Sequence, residues 1–268
     1  MAVLEFEFLG TGNAFLPQGR LHSLLLIERK LLIDCPPTSL FSLRRRGISP
    51  TDINTLMITH WHGDHIFGFP FFELERKYIS DRDGLKKLNF YSPIGGKERM
   101  LKLCELAYPG SINDRLENMI NWNEDDSGKI LGMDGWNFER FRVEHNPEVD
   151  PHGYVFEHKS GFKIMHTGDS GPCESIENRI NSCNVVVIEM GVPENVQIPF
   201  HFRPSTLTEL AVKSPDTIFL ITHTYVDDST KLEPILTNLI PNLPSNMNNV
   251  RDGDRYVWNG NKLIQSIE

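Results

Sequence analysis

Three histidines and one aspartate with metal-binding side chains lie within six residues, directly after the apolar run TLMI. They are His60, His62, Asp64 and His65 in the segment ITHWHGDH. Residues two apart in extended backbone project to the same side, so His60 and His62 can bind one ion. Gly63 permits a tight turn, from which Asp64 and His65 can point to a neighbouring position. Imidazole and carboxylate donors suit zinc best, although manganese and iron also accept them.

Later in the chain, three apolar, β-branched segments are each followed by a side chain that could bind a metal. FKIMHTG leads to Asp169, NVVVI leads to Glu189, and TIFLIT leads to His223. In sheets covered by helices, sites gather beyond the carboxyl ends of the strands. One such residue alone is usually a cap or a turn residue. Three such residues, together with the segment ITHWHGDH, favour a single site at the edge where these strands end.

The elements that must position these residues alternate between strands and helices. SLFSLRRRG, GGKERMLKLCELAY and TLTELAVKS are predicted helices, the first of them ending at Gly47. Residues 122–135 are expected to form a polar loop, and DRYVWNGNKLIQSI a hairpin that turns at Asn259–Gly260. The order predicts an α/β fold, with sheets that carry helices on their outer faces, in one domain over residues 1–268.

Charge and composition narrow the range of partners. The 268 residues carry a formal net charge of -9, which repels a polyanion at long range and disfavours a large nucleic-acid footprint. The basic run Arg44–Arg46 is interpreted as a solvated helix end. No apolar run approaches the roughly 20 residues of a membrane span. The absence of a basic signal-peptide region and the four scattered cysteines predict free thiols in the cytoplasm.

The segment HWHGDH resembles the HxHxDH signature of the metallo-β-lactamase superfamily. That family has an αβ/βα sandwich, in which two facing mixed β-sheets are flanked by helices. LGTGNAFLPQGR, LLIDC and the later histidines and aspartate follow in the family's order, so the resemblance covers nearly the whole chain. It implies two divalent metal ions, best matched by Zn²⁺ with Mn²⁺ or Fe²⁺ as alternatives. The implied ligands are His60, His62 and His145 for one ion, Asp64, His65 and His223 for the other, and Asp169 as the bridge.

The third histidine of the first ion has two candidates. His145 and His152 both precede Gly153–Tyr154, and the family pattern favours His145 although its spacing is long. A histidine that binds a metal needs its other N–H oriented, and Asp34 at the end of KLLID is a candidate partner. His22 is a candidate for a similar supporting role.

His201, in PFHFRPSTLTEL, points to the reaction. It resembles the proton donor of ribonuclease Z and related phosphodiesterases, and Glu189 resembles the residue that orients this donor. Two metals bridged by one carboxylate can hold a hydroxide at neutral pH. Asp64 would contact the attacking water as well as a metal, and an acid would help an alkoxide to leave. The resemblance therefore implies a binuclear hydrolase of the phosphodiesterase branch.

The substrate is constrained by a missing insertion. Ribonuclease Z carries a long arm that grips tRNA, in many bacterial members between the third histidine and the bridging aspartate. Here only a hairpin-sized segment separates Tyr154 from Asp169. A small phosphodiester, such as a cyclic nucleotide, a cyclic sugar phosphate or a short oligonucleotide, therefore fits better than tRNA. Ribonuclease Z-like tRNA 3′ processing, thioesterase or lactonase activity, and a mononuclear iron dioxygenase are the alternatives, and the resemblance is compatible with a homodimer.

Overall fold

The strands and helices follow one another in the predicted alternation. The computed structural model describes residues 3–225 and 243–266. The described strands are β1 (Leu4–Gly10), β2 (Leu24–Ile27), β3 (Leu31–Ile33), β4 (Thr55–Met57), β5 (Leu88–Tyr91), β6 (Ile120–Asn123), β7 (Ser127–Lys129), β8 (Trp136–Arg142), β9 (His152–His158), β10 (Lys163–His166), β11 (Val185–Met190), β12 (Ile218–Thr224), β13 (Met247–Asn249), β14 (Arg255–Trp258) and β15 (Leu263–Ser266). The described helices are α1 (Ser39–Arg45), α2 (Gly63–Ile66), α3 (Phe69–Glu75), α4 (Gly96–Ala107), α5 (Asn113–Asn118), α6 (Glu174–Ile180) and α7 (Pro204–Lys213). None of these helices is long and apolar enough to pass through a lipid bilayer.

The described strands form two mixed sheets. The eight strands of the first sheet lie in the order β15-β14-β1-β2-β3-β4-β5-β6, and the seven of the second in the order β13-β12-β11-β10-β9-β8-β7. Strands β3 to β6 are mutually parallel, as are β10 to β13. Parallel strands joined by helices bring successive carboxyl ends to one edge of the sheet. The segments that follow β4 and β10 therefore lie where the sequence predicts the site.

Apolar side chains fill three layers. In β11, Val185 and Val187 pack between the two sheets, whereas Val186 and Ile188 pack on the opposite face. This period-two alternation is what a strand buried on both faces requires. Helices α1, α3 and α4 cover the outer face of the first sheet, and α6 and α7 cover that of the second. The predicted αβ/βα sandwich of two mixed sheets flanked by helices is confirmed.

The backbone after His62 differs from the expected tight turn. Gly63 begins the single-turn helix α2, which contains both Asp64 and His65. A Cβ at this position would lie 2.5 Å from the ring of Phe67, an exposed side chain that would have to shift. The helix presents Asp64 and His65 from consecutive positions, and the ring centroids of His65 and His60 are only 4.0 Å apart.

The loop predicted at the edge of the second sheet is partly wrong, whereas the hairpin predicted at the edge of the first sheet is present. Residues 122–135 are not wholly a loop, because Ser127–Lys129 form β7 and pair with β8. That strand is short and exposed, and its sequence lacks the apolar alternation that marks a strand. The hairpin predicted around Asn259–Gly260 is present, since β14 and β15 pair in antiparallel fashion.

Candidate metal centre

Four donor side chains converge from three parts of the chain. Donor atoms of His60, His62, His145 and Asp169 all lie within 4.8 Å of one another. Nε2 of His60 is 3.0 Å from Nδ1 of His62, and Nε2 of His145 is 3.2 Å from that same Nδ1. His60 and His62 follow β4, His145 follows β8, and Asp169 follows β10. The group therefore depends on both sheets.

The structure separates the two candidates for the third histidine. His145 joins this first group, and its Nδ1 lies 3.0 Å from the carbonyl oxygen of Phe200, to which it can donate. His152 instead directs its Nδ1 toward the carbonyl oxygen of Asp150 at 2.8 Å. It lines a different cavity of about 320 Å³, beside Arg140. His145 is thus the candidate that the fold brings to His60 and His62.

A second group lies directly beside the first and shares Asp169. It contains Asp64, His65, Asp169 and His223. Nε2 of His65 is 3.4 Å from Oδ2 of Asp64 and 3.4 Å from Oδ1 of Asp169. Nε2 of His223 lies 3.3 Å from Oδ2 of Asp169. Because Asp169 belongs to both groups, its carboxylate is in position to bridge them.

The chemistry of these donors fits divalent metal ions. Burial lowers the pKa of His60, His62 and His145, the last to about 4, so these imidazoles are neutral at pH 7. A neutral imidazole is the form that binds a metal. Nε2 of His65 is buried and makes no hydrogen bond, although it faces two carboxylates. An ion placed among these atoms would satisfy it.

The carboxylates of the second group are held ionised. Burial opposes the charge on Asp64 and Asp169, but the facing His65 and His223 hold the pKa of both carboxyl groups well below the usual range. Burial likewise opposes a charge on His65, yet Asp169, Asp64 and Asp34 raise its pKa well above the ordinary value. This histidine therefore lies in the most negative part of the site, where a cation is stabilised most.

Asp34 orients two of these histidines from behind, in the contact expected from the sequence. Its Oδ2 accepts a hydrogen bond from Nδ1 of His65 at 2.7 Å, which directs Nε2 of that ring into the site. Its Oδ1 accepts the backbone N–H of Thr59 at 2.8 Å. The hydroxyl of Thr59 also contacts Asp34, and lies 3.0 Å from Nδ1 of His60. Sequence reasoning missed Thr59, whose position immediately before His60 was the available signal.

His223 reaches the site through an irregularity in β12. Glu189 pairs with Thr222 and Met190 pairs with Thr224, so His223 is an additional residue between two regular pairs. It has a φ of 47°, a left-handed conformation that is uncommon for residues other than glycine. A β-bulge of this kind re-aims a side chain at the rim of a sheet. The bulge explains how His223, although within a strand, faces Asp169.

His201 and Glu189 form a pair next to the two groups. Nδ1 of His201 donates to Oε1 of Glu189 across 2.6 Å. The backbone N–H groups of Ser170, Gly191 and Phe202 also donate to this carboxylate. Burial disfavours the charged imidazole, but Glu189 outweighs it and raises the pKa of His201 to about 9. His201 is thus a protonated, oriented side chain at neutral pH.

These groups open into a cavity of about 910 Å³. Its described lining includes four residues of the site, namely His62, Asp64, Asp169 and His223, together with His201. Two remaining histidines have local partners: His158 contacts the Ser160 hydroxyl, and His166 accepts the N–H of Gly168. His22 belongs to neither donor group. Burial lowers its pKa, and the charge of Asp64 acts in the opposite direction.

Sequence comparison identifies ribonucleases Z among the relatives. The ribonuclease Z of Lactococcus lactis subsp. cremoris (strain SK11) is 36% identical over 149 residues, which is 53% of this chain and 47% of that protein. The chain spans about half the length of the first curated relatives it matches. The similarity therefore covers part of each protein.

Solved structures share the fold over nearly the whole chain. The metallo-β-lactamase fold protein YhfI from Bacillus subtilis superimposes with a TM-score of 0.73 at 14% identity, covering 96% of this chain and 100% of that one. A diphosphatase from the PhnP family gives a TM-score of 0.70 at 17% identity, with 96% and 98% covered. The sequence also matches the family described as anti-Pycsar protein Apyc1 over residues 4–231. That match spans most of the chain, and the protein therefore belongs to the Apyc1 family and has the metallo-β-lactamase fold.

Proposed function

We propose that the protein is a binuclear metal-dependent hydrolase that cleaves a small phosphodiester. The ligands of one ion would be His60, His62 and His145, and those of the other Asp64, His65 and His223, with Asp169 shared between them. Zn²⁺ suits this mixture of imidazole and carboxylate donors best, and Mn²⁺ or Fe²⁺ could replace it. When bound, such ions generate a nucleophile from water at neutral pH and polarise the oxygen under attack.

The pairing of His201 with Glu189 is the observation that favours a phosphodiester. Glu189 engages Nδ1, so Nε2 is the nitrogen of His201 available to a bound substrate. With a pKa of about 9, His201 carries a proton at neutral pH and can give it to a departing oxygen. An alkoxide leaves poorly without that proton, so the acid matters most in the cleavage of phosphate–alkyl bonds. The alternative of a thioesterase makes less use of it, because a thiolate is a better leaving group.

The cavity supports a small substrate. Its volume of about 910 Å³ is in the range of sites for small molecules, which runs to roughly 1,000 Å³. The interval between Tyr154 and Asp169 forms the plain hairpin of β9 and β10. A cyclic nucleotide, a cyclic sugar phosphate or a short oligonucleotide fits these features.

A second candidate function is the 3′ processing of tRNA. The name ribonuclease Z on the similar Lactococcus protein supports it, since that match extends over about half of this chain. The candidate requires that the protein bind a large polyanion without the arm expected for that task. Cleavage of a precursor tRNA, measured beside cleavage of a small diester at equal enzyme concentration, distinguishes the two.

The test of the main proposal uses the purified chain loaded with Zn²⁺ or Mn²⁺. We expect hydrolysis of bis(p-nitrophenyl) phosphate, its loss on treatment with a chelator, and its return when metal is added back. A p-nitrophenyl thioester and a lactone should react much more slowly. The matched variants are Asp169→Asn, which should be inactive, and His152→Ala, which should be active because His152 lies in another cavity.

Three results would contradict the proposal. Turnover that survives complete removal of metal would exclude metal-dependent hydrolysis. Faster turnover of the thioester or lactone than of any diester would favour that alternative. One bound iron per chain with oxygen consumption would favour the mononuclear dioxygenase.

A further inference from the structure

Ser170 lies where three segments of the site meet. It directly follows Asp169, the carboxylate shared by both donor groups, and it is fully buried, with 0% of its surface exposed. Its Oγ accepts the backbone N–H of Glu144 at 3.2 Å, and Glu144 directly precedes His145. Its own backbone N–H donates to Oε1 of Glu189 at 3.1 Å. One small residue thus connects the shared carboxylate to a histidine of the first group and to the partner of the proton donor.

The hydroxyl group of Ser170 is oriented as an acceptor toward Glu144. It donates its hydrogen to the carbonyl oxygen of Gly171 at 2.7 Å, so a lone pair of the oxygen is available to the N–H of Glu144. A second bond runs beside it, because the backbone N–H of Gly171 donates to the carbonyl oxygen of Glu144 at 2.7 Å. Glu144 and Gly171 form an isolated antiparallel bridge. This bridge joins the segment after β8 to the segment after β10.

His145 is supported at its ring and, through the preceding residue, at its backbone. Nδ1 of the ring lies 3.0 Å from the carbonyl oxygen of Phe200, and the preceding residue is bonded to Ser170 and Gly171. The segment that contains Phe200 packs closely on the same turn, since a Cβ at position 171 would lie 1.7 Å from the carbonyl oxygen of Pro199. The turn thus supports both the backbone of His145 and the segment that orients its ring.

We propose that Ser170 is a positioning residue, whose hydroxyl group holds the backbone of His145 beside Asp169 so that both can bind one metal ion. This inference rests on the metal binding in the proposed function and adds a residue that touches neither metal nor substrate. Partners that orient the ligands of a metal commonly affect its affinity. Removal of the hydroxyl should therefore weaken the ion that His145 binds, whereas the backbone N–H of residue 170 would still orient Glu189.

The experiment measures the affinities of the two ions separately. The wild type, Ser170→Ala, Ser170→Thr and Ser92→Ala are titrated with Zn²⁺ against a chromophoric chelator. Ser92 is the matched control, because it is 1% exposed and its hydroxyl donates to the carbonyl oxygen of the next residue, Pro93, at 3.0 Å. Ser170→Ala should weaken one ion about 3- to 10-fold, the contribution of one hydrogen bond, and leave the other unchanged. Ser170→Thr keeps the hydroxyl and, like the control, should bind both ions as the wild type does.

A double variant shows whether the effect passes through His145. His145→Ala should bind only one ion, and the addition of Ser170→Ala should not weaken that ion further, because both changes act on the same ion. A general loosening of the fold would weaken it again. At saturating Zn²⁺, Ser170→Ala should keep the wild-type ratio of kcat for an alkyl diester to kcat for bis(p-nitrophenyl) phosphate, since the N–H that donates to Glu189 is unchanged.

The inference is wrong if Ser170→Ala binds both ions as the wild type does, if it binds both more weakly, or if the double variant weakens the remaining ion. None of these results affects the proposed function. A wild type that binds two ions but hydrolyses no diester would contradict the proposed function, and the affinities would still test the role of Ser170. If the wild type binds no metal, both fail.

Discussion

Nδ1 of His201 donates a hydrogen bond to Oε1 of Glu189 across 2.6 Å. The bond links the segment before α7 to strand β11, beside the two groups of metal-competent side chains. Three backbone N–H groups also donate to the carboxylate, so Glu189 cannot move without breaking several contacts. The imidazole is therefore held in one orientation, as a proton donor must be if it is to meet a leaving oxygen.

His201→Ala should lower activity in proportion to the difficulty of the leaving group. For a cyclic or alkyl diester, loss of the acid should reduce kcat by about 10²- to 10⁴-fold. For bis(p-nitrophenyl) phosphate the loss should be about 10-fold or less, because p-nitrophenolate departs readily without a proton. The measurement is kcat for both substrates at saturating metal. An equal loss for both would show that His201 acts on something other than the departing oxygen.

Glu189→Gln should impair the same step through His201. The amide weakens both the orientation and the charge of the imidazole, so kcat for an alkyl diester should fall, by less than in His201→Ala. The double variant should be no slower than His201→Ala alone, because residues that act as a unit are not additive. A double variant whose losses multiply would mean that Glu189 acts independently of His201.

Gly191→Ala should disturb this pair without removing a metal ligand. A Cβ at position 191 would lie 2.6 Å from Nδ1 of His201 and 3.0 Å from Oε2 of Glu189. We expect the selective loss on alkyl diesters that His201→Ala shows, with the metal content of the wild type. Kinetics and metal analysis on the same preparation test both parts. Wild-type kcat on the alkyl diester would show that the backbone can absorb the methyl group.

Much of the site was predictable because its residues lie in strongly patterned segments. The crowding of His60, His62, Asp64 and His65 after an apolar strand is local, and it is visible in the sequence. The parallel strands then bring the later residues to the same place, so Asp169 is found beside that segment. Sheets and helices could be predicted for the same reason, since periodic burial leaves a periodic sequence.

The backbone geometry that orients individual side chains of the site could not be predicted in this way. His223 has a φ of 47° at a bulge, and Asp34 has a φ of 70° where its carboxylate meets His65 and Thr59. Aspartate and histidine adopt a left-handed backbone more often than most residues, but only at a small fraction of positions, so the sequence does not show where. Here the surrounding tertiary contacts impose it. The sequence also could not decide between His145 and His152, because that choice depended on the path of the loop after β8.

His145→Ala should change the number of metal ions bound, whereas His152→Ala should not. His145 contributes to the group with His60 and His62, so we expect its loss to remove one of the two ions. His152 contacts Asp150 in a separate cavity and serves as the matched control. Elemental analysis after gel filtration gives the metal content per chain. Two ions retained in His145→Ala and one lost in His152→Ala would reverse the assignment.

Asp34→Asn should weaken metal binding while leaving every proposed ligand in place. Asp34 accepts the N–H of His65 and, through Thr59, supports His60. Loss of a partner that orients a histidine ligand typically costs 10- to 100-fold in metal affinity, and we expect about that range here. Competition with a chromophoric chelator measures the affinity, and Asp216→Asn, at an exposed position, is the control for removal of one carboxylate. Unchanged affinity in Asp34→Asn, with the thermal stability of the wild type, would show that His65 is oriented by other contacts.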